Sequence, residues 1–193
     1  KQRRIKLQAL CDSGINPYPN QFRRNNTVSD VFGNHARSTS EELESDTSEV
    51  RLAGRLVSRR IMGKASFAHI RDGSGDIQLY VQRQELAEGF YESFKQYDLG
   101  DILGVVGTVF RTKTGELSIR VQEIPLLVKS LHPLPEKFHG LTDIETRYRQ
   151  RYLDLMVNQD SRQVFRKRSV IVRAFRDFLD KRGYLEIESP ITL

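Results

Sequence analysis

The chain has 193 residues, 38% of them hydrophobic, with a formal charge of +6 and an isoelectric point near 9.5. That length accommodates one compact core plus a second element or part of another domain, and the basic balance favours an acidic partner such as RNA. A single cysteine, Cys11, excludes an internal disulfide; the four histidines are scattered, and no CxxC or HExxH spacing predicts a metal site. A reducing, cytoplasmic setting is the simplest that fits, and no apolar run approaches a membrane span. The opening KQRRIKLQAL has no signal-peptide core, and the absent initiator methionine is what a processed, trimmed or partly observed chain would show.

In chain order, residues 3–13 (RRIKLQALCDS) predict a short basic helix stopped by Gly14, with an extended exit through Pro17 and Pro19. Residues 27–47 predict two weak helical turns, in which the acidic SEELESDTSE reads as a cap or linker. From Val50 the period changes to two. VRLAGRLVSRR, SFAHIR and DIQLYV alternate as strands, the last two joined by a glycine turn. QELAEGFYESFKQY predicts a helix with Leu86, Phe90 and Phe94 on one face. DILGVVGTVFRT reads as a buried strand in which Gly104 and Gly107 permit sharp curvature or close approach, and KTGELSIRVQEIPLLVK as a final strand after a turn. Five strands with one helix between the third and fourth give the element order of an OB-fold barrel, whose second and third strands bind single-stranded nucleic acid.

LHPLPEKFHG follows as an irregular, proline-bearing hinge. ETRYRQRYLDLM and SRQVFRKRSVIVRAFRDFLDKRG are helical by spacing. In the second, Val164, Arg168, Ile171, Phe175, Phe178 and Leu179 form one stripe, and Gly183 marks the stop. YLEIESPITL predicts the start of a strand. These last elements lack a core of their own in the sequence and are expected to belong to a domain that continues past Leu193.

Alternation also sorts the barrel faces. Ala68 and Ile70, then Ile77, Leu79 and Val81, then Leu117, Ile119 and Val121 form the inward sets. Phe67, Gln78 and Glu116 therefore point outward, as do His69, Tyr80, Ser118 and Arg120. An outward phenylalanine suits a nucleobase, whose stacking is worth roughly 1–3 kcal/mol. Gln78 offers a donor and an acceptor to a base edge, whereas ionised Glu116 only accepts and selects a base with an N–H, a pattern that uracil satisfies. Spacing alone leaves a second reading open, in which a flanking helix covers Phe67 and the polar residues are merely solvated. Arg59 and Arg60, at the end of the first strand, are either a solvated pair or a reach toward phosphate or base at the same face.

The segments RRIMGKASFAHIRDGSGDIQLYVQR, YDLGDILGVVGTVFRTKTGELSI and above all LPEKFHGLTDIETRYRQRYLDLM resemble the anticodon-binding domain and hinge of the bacterial-type class II lysyl-tRNA synthetases. The likeness covers nearly the whole chain, more loosely from Thr27 to Glu49, and GYLEIESPI is similar to motif 1 of the class II enzymes. It implies that Phe67 stacks on the middle anticodon base, that Gln78 and Glu116 hydrogen-bond to it, that Arg60 supports it, and that Pro190 lies at a dimer interface.

The expected fold is mainly β: a five-stranded OB-fold barrel with N-terminal helices and a C-terminal helical segment that opens a truncated α+β class II synthetase domain. The expected division is an N-terminal extension over 1–47, the barrel over 48–130, a hinge over 131–160 and the start of a catalytic domain over 161–193. The family reaction attaches lysine to its tRNA through lysyl-adenylate, with ATP and Mg2+, in a homodimer. Motifs 2 and 3 are absent from the sequence, so no catalytic or metal residue is named, no cofactor is expected in this chain, and the chain alone is expected to be inactive. An aspartyl or asparaginyl synthetase fragment is disfavoured by KFHGL in the hinge, and a general single-strand-binding OB module by the motif-1-like segment.

Overall fold

The structure is a computed structural model that describes residues 1–63, 65–135 and 141–188. The chain forms two compact units, Lys1–Pro133 and Leu134–Leu193.

In the first unit, α1 (Gln2–Asp12) buries none of its residues. It is tied down by two basic side chains instead: Arg3 donates to the carbonyls of Leu99, Ser130 and His132, and Lys6 pairs with Asp98 at 2.6 Å. The short helices α2 (Val28–His35) and α3 (Ser40–Ser45) each open with a capping box, Thr27 with Asp30 and Thr39 with Glu42, which satisfies N–H groups that a helix start leaves open. Their Val28, Val31 and Leu43 are buried in the barrel core.

The barrel comprises β1 (Glu49–Met62), β2 (Ala65–Arg71), β3 (Asp76–Gln82), α4 (Phe90–Gln96), β4 (Ile102–Arg111) and β5 (Leu117–Glu123), with a short β6 (Leu126–Val128). The strands run β1-β2-β3-β5-β4, and β4 pairs back to β1, closing five strands into the OB-fold barrel that the sequence predicts. Among the described strands only the β3–β5 pairing is parallel. All eight residues assigned inward by alternation, from Ala68 to Val121, are buried.

Gly107 is needed where β4 bulges across β5, because a Cβ there would lie 2.1 Å from the Arg120 carbonyl oxygen. At Gly104 a Cβ would meet the Phe22 ring at 2.8 Å. Where the chain leaves the barrel, Lys129, 4% exposed, donates to Asp98 and to fully buried Asp101 at 2.7–2.8 Å.

Several elements differ from the sequence expectation. The helix predicted from Gln84 starts only at Phe90, because Gly89 takes φ +83 in the left-handed region; Leu86 is buried from the preceding turn, and the helix buries Tyr91 with Phe94. The last predicted strand is divided at Pro125, which has no N–H for a ladder, into β5 and β6. Ser118, outward by alternation, is nonetheless buried beneath its neighbours.

The second unit holds α5 (Ile144–Arg149), α6 (Arg151–Val157) and α7 (Gln159–Asp180). The single helix expected over ETRYRQRYLDLM is broken at Gln150, where ψ is +57. These three helices converge on Asp154, which is fully buried and accepts from Arg147, Arg151, Asn158 and Ser161 at 2.5–3.0 Å. Burial pushes the Asp154 carboxyl up, but those four donors outweigh it and hold the group below its ordinary value. The stripe on α7 is exposed, Phe175 by 67% and Ile171 by 55%. Tyr184–Glu188 form no strand: a strand needs a neighbour's hydrogen bonds, and no described strand lies in this unit. No described helix is long and apolar enough to cross a membrane. The hinge residues KFHG and the candidate interface residue Pro190 lie outside the described residues.

Candidate nucleic-acid interface

The outward faces of β2 and β3, with the end of β1 and the β4–β5 loop, line an open groove of about 870 Å³. Phe67, Gln78, Glu116 and Arg60 all line it. Arg60 sits opposite Phe67 across the β1–β2 ladder, and Phe67 opposite Tyr80 across β2–β3. Pairing register therefore brings an exposed guanidinium and two rings to one face.

Phe67 packs on Tyr80 with ring centroids 5.2 Å apart, and Tyr80 on Phe110 at 5.7 Å. The Arg120 guanidinium lies 5.1 Å from the Phe110 ring centre. The result is a half-buried aromatic stripe across the barrel surface, held in geometries that aromatic rings favour. The N-terminal helices do not line this groove, so the flanking-helix cover for Phe67 is not what the structure shows.

Beside the rings runs a polar chain. Ser118 Oγ donates to Gln78 Oε1 at 3.0 Å, and Gln78 Nε2 donates to Glu116 Oε2 at 2.8 Å. The other Glu116 oxygen lies 3.7 Å from His69 Nε2, while His69 Nδ1 and Ser58 Oγ are 2.8 Å apart. The parallel β3–β5 register, Gln78 opposite Ser118, sets this line of contacts. Gln78 is thus oriented before any ligand arrives, with one N–H and one lone pair still available. Preorganisation of this kind lowers the cost of ordering on binding.

Of the two arginines at the end of β1, only Arg60 is free to reach outward. Arg59 donates from Nη1 to the carbonyls of Phe94, Lys95 and Tyr97 at 2.6–3.0 Å, satisfying the C-terminal end of α4. Tyr80, His69, Ser118 and Arg120 fall on the correct face by alternation, but periodicity carries no sign of their mutual contacts. Phe110 is harder to find, because β4 reads as continuously apolar and the bulge at Gly107 resets its alternation.

A closed OB barrel with an aromatic, hydrogen-bonding groove has the surface chemistry that single-stranded nucleic acid fits. Residues 50–127 match the family model of the OB-fold nucleic acid binding domain, and residues 143–193 match that of the tRNA synthetases class II (D, K and N). Within that class the resemblance is to the lysyl enzymes. The chain is 55% identical over 192 residues to the lysine–tRNA ligase of Serratia proteamaculans (strain 568), covering 99% of this chain and 38% of that relative. It is 54% identical over 191 residues to the lysine–tRNA ligase of Idiomarina loihiensis, covering 98% of this chain and 38% of the relative. To that of Lysinibacillus sphaericus (strain C3-41) it is 50% identical over 189 residues, with the same two shares. The chain spans about 38% of the length of the curated relatives it matches.

Proposed function

We propose that the barrel recognises the anticodon of lysine tRNA, with Phe67 stacking on the middle base and Gln78 and Glu116 reading its edge. The observation that carries this reading is the fixed Gln78 amide, held between Ser118 and Glu116 beside the Phe67 ring. Uracil presents an imino N–H between two carbonyls: the N–H suits a Glu116 oxygen, and one carbonyl suits the remaining Gln78 N–H. Arg60, exposed opposite Phe67, supplies positive charge at the same place.

The longer protein is, in this reading, a class II lysine–tRNA ligase that forms lysyl-adenylate from lysine and ATP with Mg2+, as a cytoplasmic homodimer in which Pro190 lies at the subunit contact. Among the described residues no three His, Cys, Asp or Glu side chains gather to hold a cation. ATP and Mg2+ belong, in this reading, to the whole enzyme, and the barrel's share is recognition.

The test is selectivity at one fixed salt concentration. Replacing the middle uracil of a UUU anticodon stem-loop by cytosine should cost about 1–3 kcal/mol, the penalty for leaving a polar group unpaired. Gln78→Ala should shrink that gap, while Lys113→Ala, in the loop, should weaken both stem-loops about equally. Equal wild-type affinity for the two stem-loops would reject anticodon reading and leave a general single-strand binder, whose stacking and charge tolerate any base.

A further inference from the structure

Arg111 ends β4, directly before the Thr112–Glu116 loop, and its guanidinium donates in two directions. Toward the loop, Nη1 donates to the Gly115 carbonyl at 3.1 Å. Away from it, Nε donates to the Ser38 carbonyl at 3.0 Å, and Nη2 to those of His35 and Ala36 at 3.1 and 2.9 Å. The last three carbonyls lie at the C-terminal end of α2 and in its connection to α3, where a helix leaves oxygens without partners.

The loop is internally stiff. Thr112 N–H donates to Glu116 O at 2.9 Å, Gly115 N–H to Thr112 O at 2.8 Å, and Glu116 N–H to Thr112 Oγ1 at 3.1 Å. Gly115 completes the turn at φ +84. Any shift of Gly115 therefore passes into the backbone that carries Glu116. Arg111 itself is not among the residues that line the groove.

We propose that Arg111 is a positioning residue for base readout: it clamps the Glu116 loop to the N-terminal helices α2 and α3, and so makes that segment part of the selectivity apparatus without touching RNA. This rests on the anticodon reading above. The role depends on a planar fork that spans carbonyls on both sides, which a lysine ammonium cannot reproduce although it keeps the charge.

The experiment measures the ratio of affinities for the UUU and UCU stem-loops at one salt concentration, with melting curves confirming folded protein. Arg111→Lys and Arg111→Ala should each lower the ratio by about three- to tenfold. In a Glu116→Gln background, Arg111→Ala should lower it no further, because both act through one carboxylate. Should Arg111→Ala not fold, Arg111→Lys and Thr39→Ala carry the test; the latter uncaps α3 beside Ser38 and should shift the ratio in the same direction by less. An unchanged ratio in Arg111→Lys, or additive losses in the double variant, overturns the positioning role. Phe67→Ala separates the two levels. If it weakens binding while the Arg111 variants keep the ratio, only the positioning role fails; if it leaves binding unchanged, or the wild-type ratio is one, the anticodon reading fails and the positioning role with it.

Discussion

The barrel and the helical segment use opposite means of holding their elements together. In the barrel, all eight strand residues assigned inward are buried, and helices α2, α3 and α4 add Val28, Val31, Leu43 and Phe94 to the same core. In the helical segment the buried residues among those described are polar, Asp154 and Ser161, while Ile171, Phe175, Phe178 and Leu179 remain exposed on α7. Non-directional burial stabilises the first, and a hub of directional, charge-assisted hydrogen bonds organises the second. The two should respond differently to the same kind of perturbation.

The largest expected effect is at the place where the barrel also depends on charge. Lys129→Ala removes the cation that faces Asp98 and Asp101, and leaves buried Asp101 without its cationic partner. Breaking one side of a buried pair costs about 3–5 kcal/mol. Urea unfolding followed by circular dichroism should show that loss; a change below about 1 kcal/mol would mean that solvent or a shifted neighbour replaces the cation, and that the barrel is purely apolar in its energetics.

Much of this contrast is legible in the sequence because strand alternation is strict where one face is buried. A one-residue slip would move Ile77, Leu79 and Val81 to the surface, so the register is strongly specified and the outward positions follow from it. Phe67, Gln78 and Glu116 are therefore assignable to one face from alternation alone, and Arg60 reaches that face from the end of β1. Contact between strands distant in sequence leaves no such trace. The Ser118 to Gln78 bond depends on the parallel β3–β5 register, and the Arg111 clamp joins residues more than seventy positions apart. Helix ends depart from apolar spacing where a local backbone preference overrides it, at Gly89 and at Gln150. The strand expected at Tyr184 does not form, because alternation describes a strand's faces and not its neighbour.

The next effect sharpens the comparison on the barrel's own surface. Phe67→Ala should weaken binding of the UUU stem-loop by about 1–3 kcal/mol. Because the ring sits outside the core and touches Tyr80, stability should change by no more than about 1 kcal/mol, the worth of an aromatic pair. A large fall in melting temperature with unchanged RNA affinity would place Phe67 in the core, and remove the distinction between the inner and outer faces.

Acid should separate the two units. The Asp154 carboxyl is held below the ordinary aspartate value of 3.8, so its contribution to stability is complete above that value and is lost as the pH falls through the lower, folded value. Asp98 in the barrel, pushed up by burial but held down more strongly by Lys129 and Lys6, follows the same sign. The barrel keeps its apolar core when its carboxylates protonate, whereas the helical segment loses its hub. On titration below pH 4, NMR signals of Asn158 and Ser161 should therefore shift before those of Leu79 and Ile119. Asp154→Asn should abolish that early step. Simultaneous loss in both units would show that they share one source of acid sensitivity.

The smallest expected effect is that of Ile171→Ala, set against the identical truncation at a buried site. Ile119 is fully buried between β3 and β4, and Ile119→Ala should cost about 2–5 kcal/mol from lost transfer energy and the cavity left behind. Ile171 occupies the apolar stripe of α7 but is 55% exposed, so its truncation removes little from any packed interior. Alanine also has a higher helix propensity than isoleucine, which offsets part of what is lost. Ile171→Ala should therefore change the stability of the chain by less than about 0.5 kcal/mol, within the range of ordinary surface substitutions. Denaturant midpoints of the two variants, measured on the same chain at the same protein concentration, decide the matter. If Ile171→Ala costs as much as Ile119→Ala, the α7 stripe is packed in solution, and the helical segment has an apolar core after all.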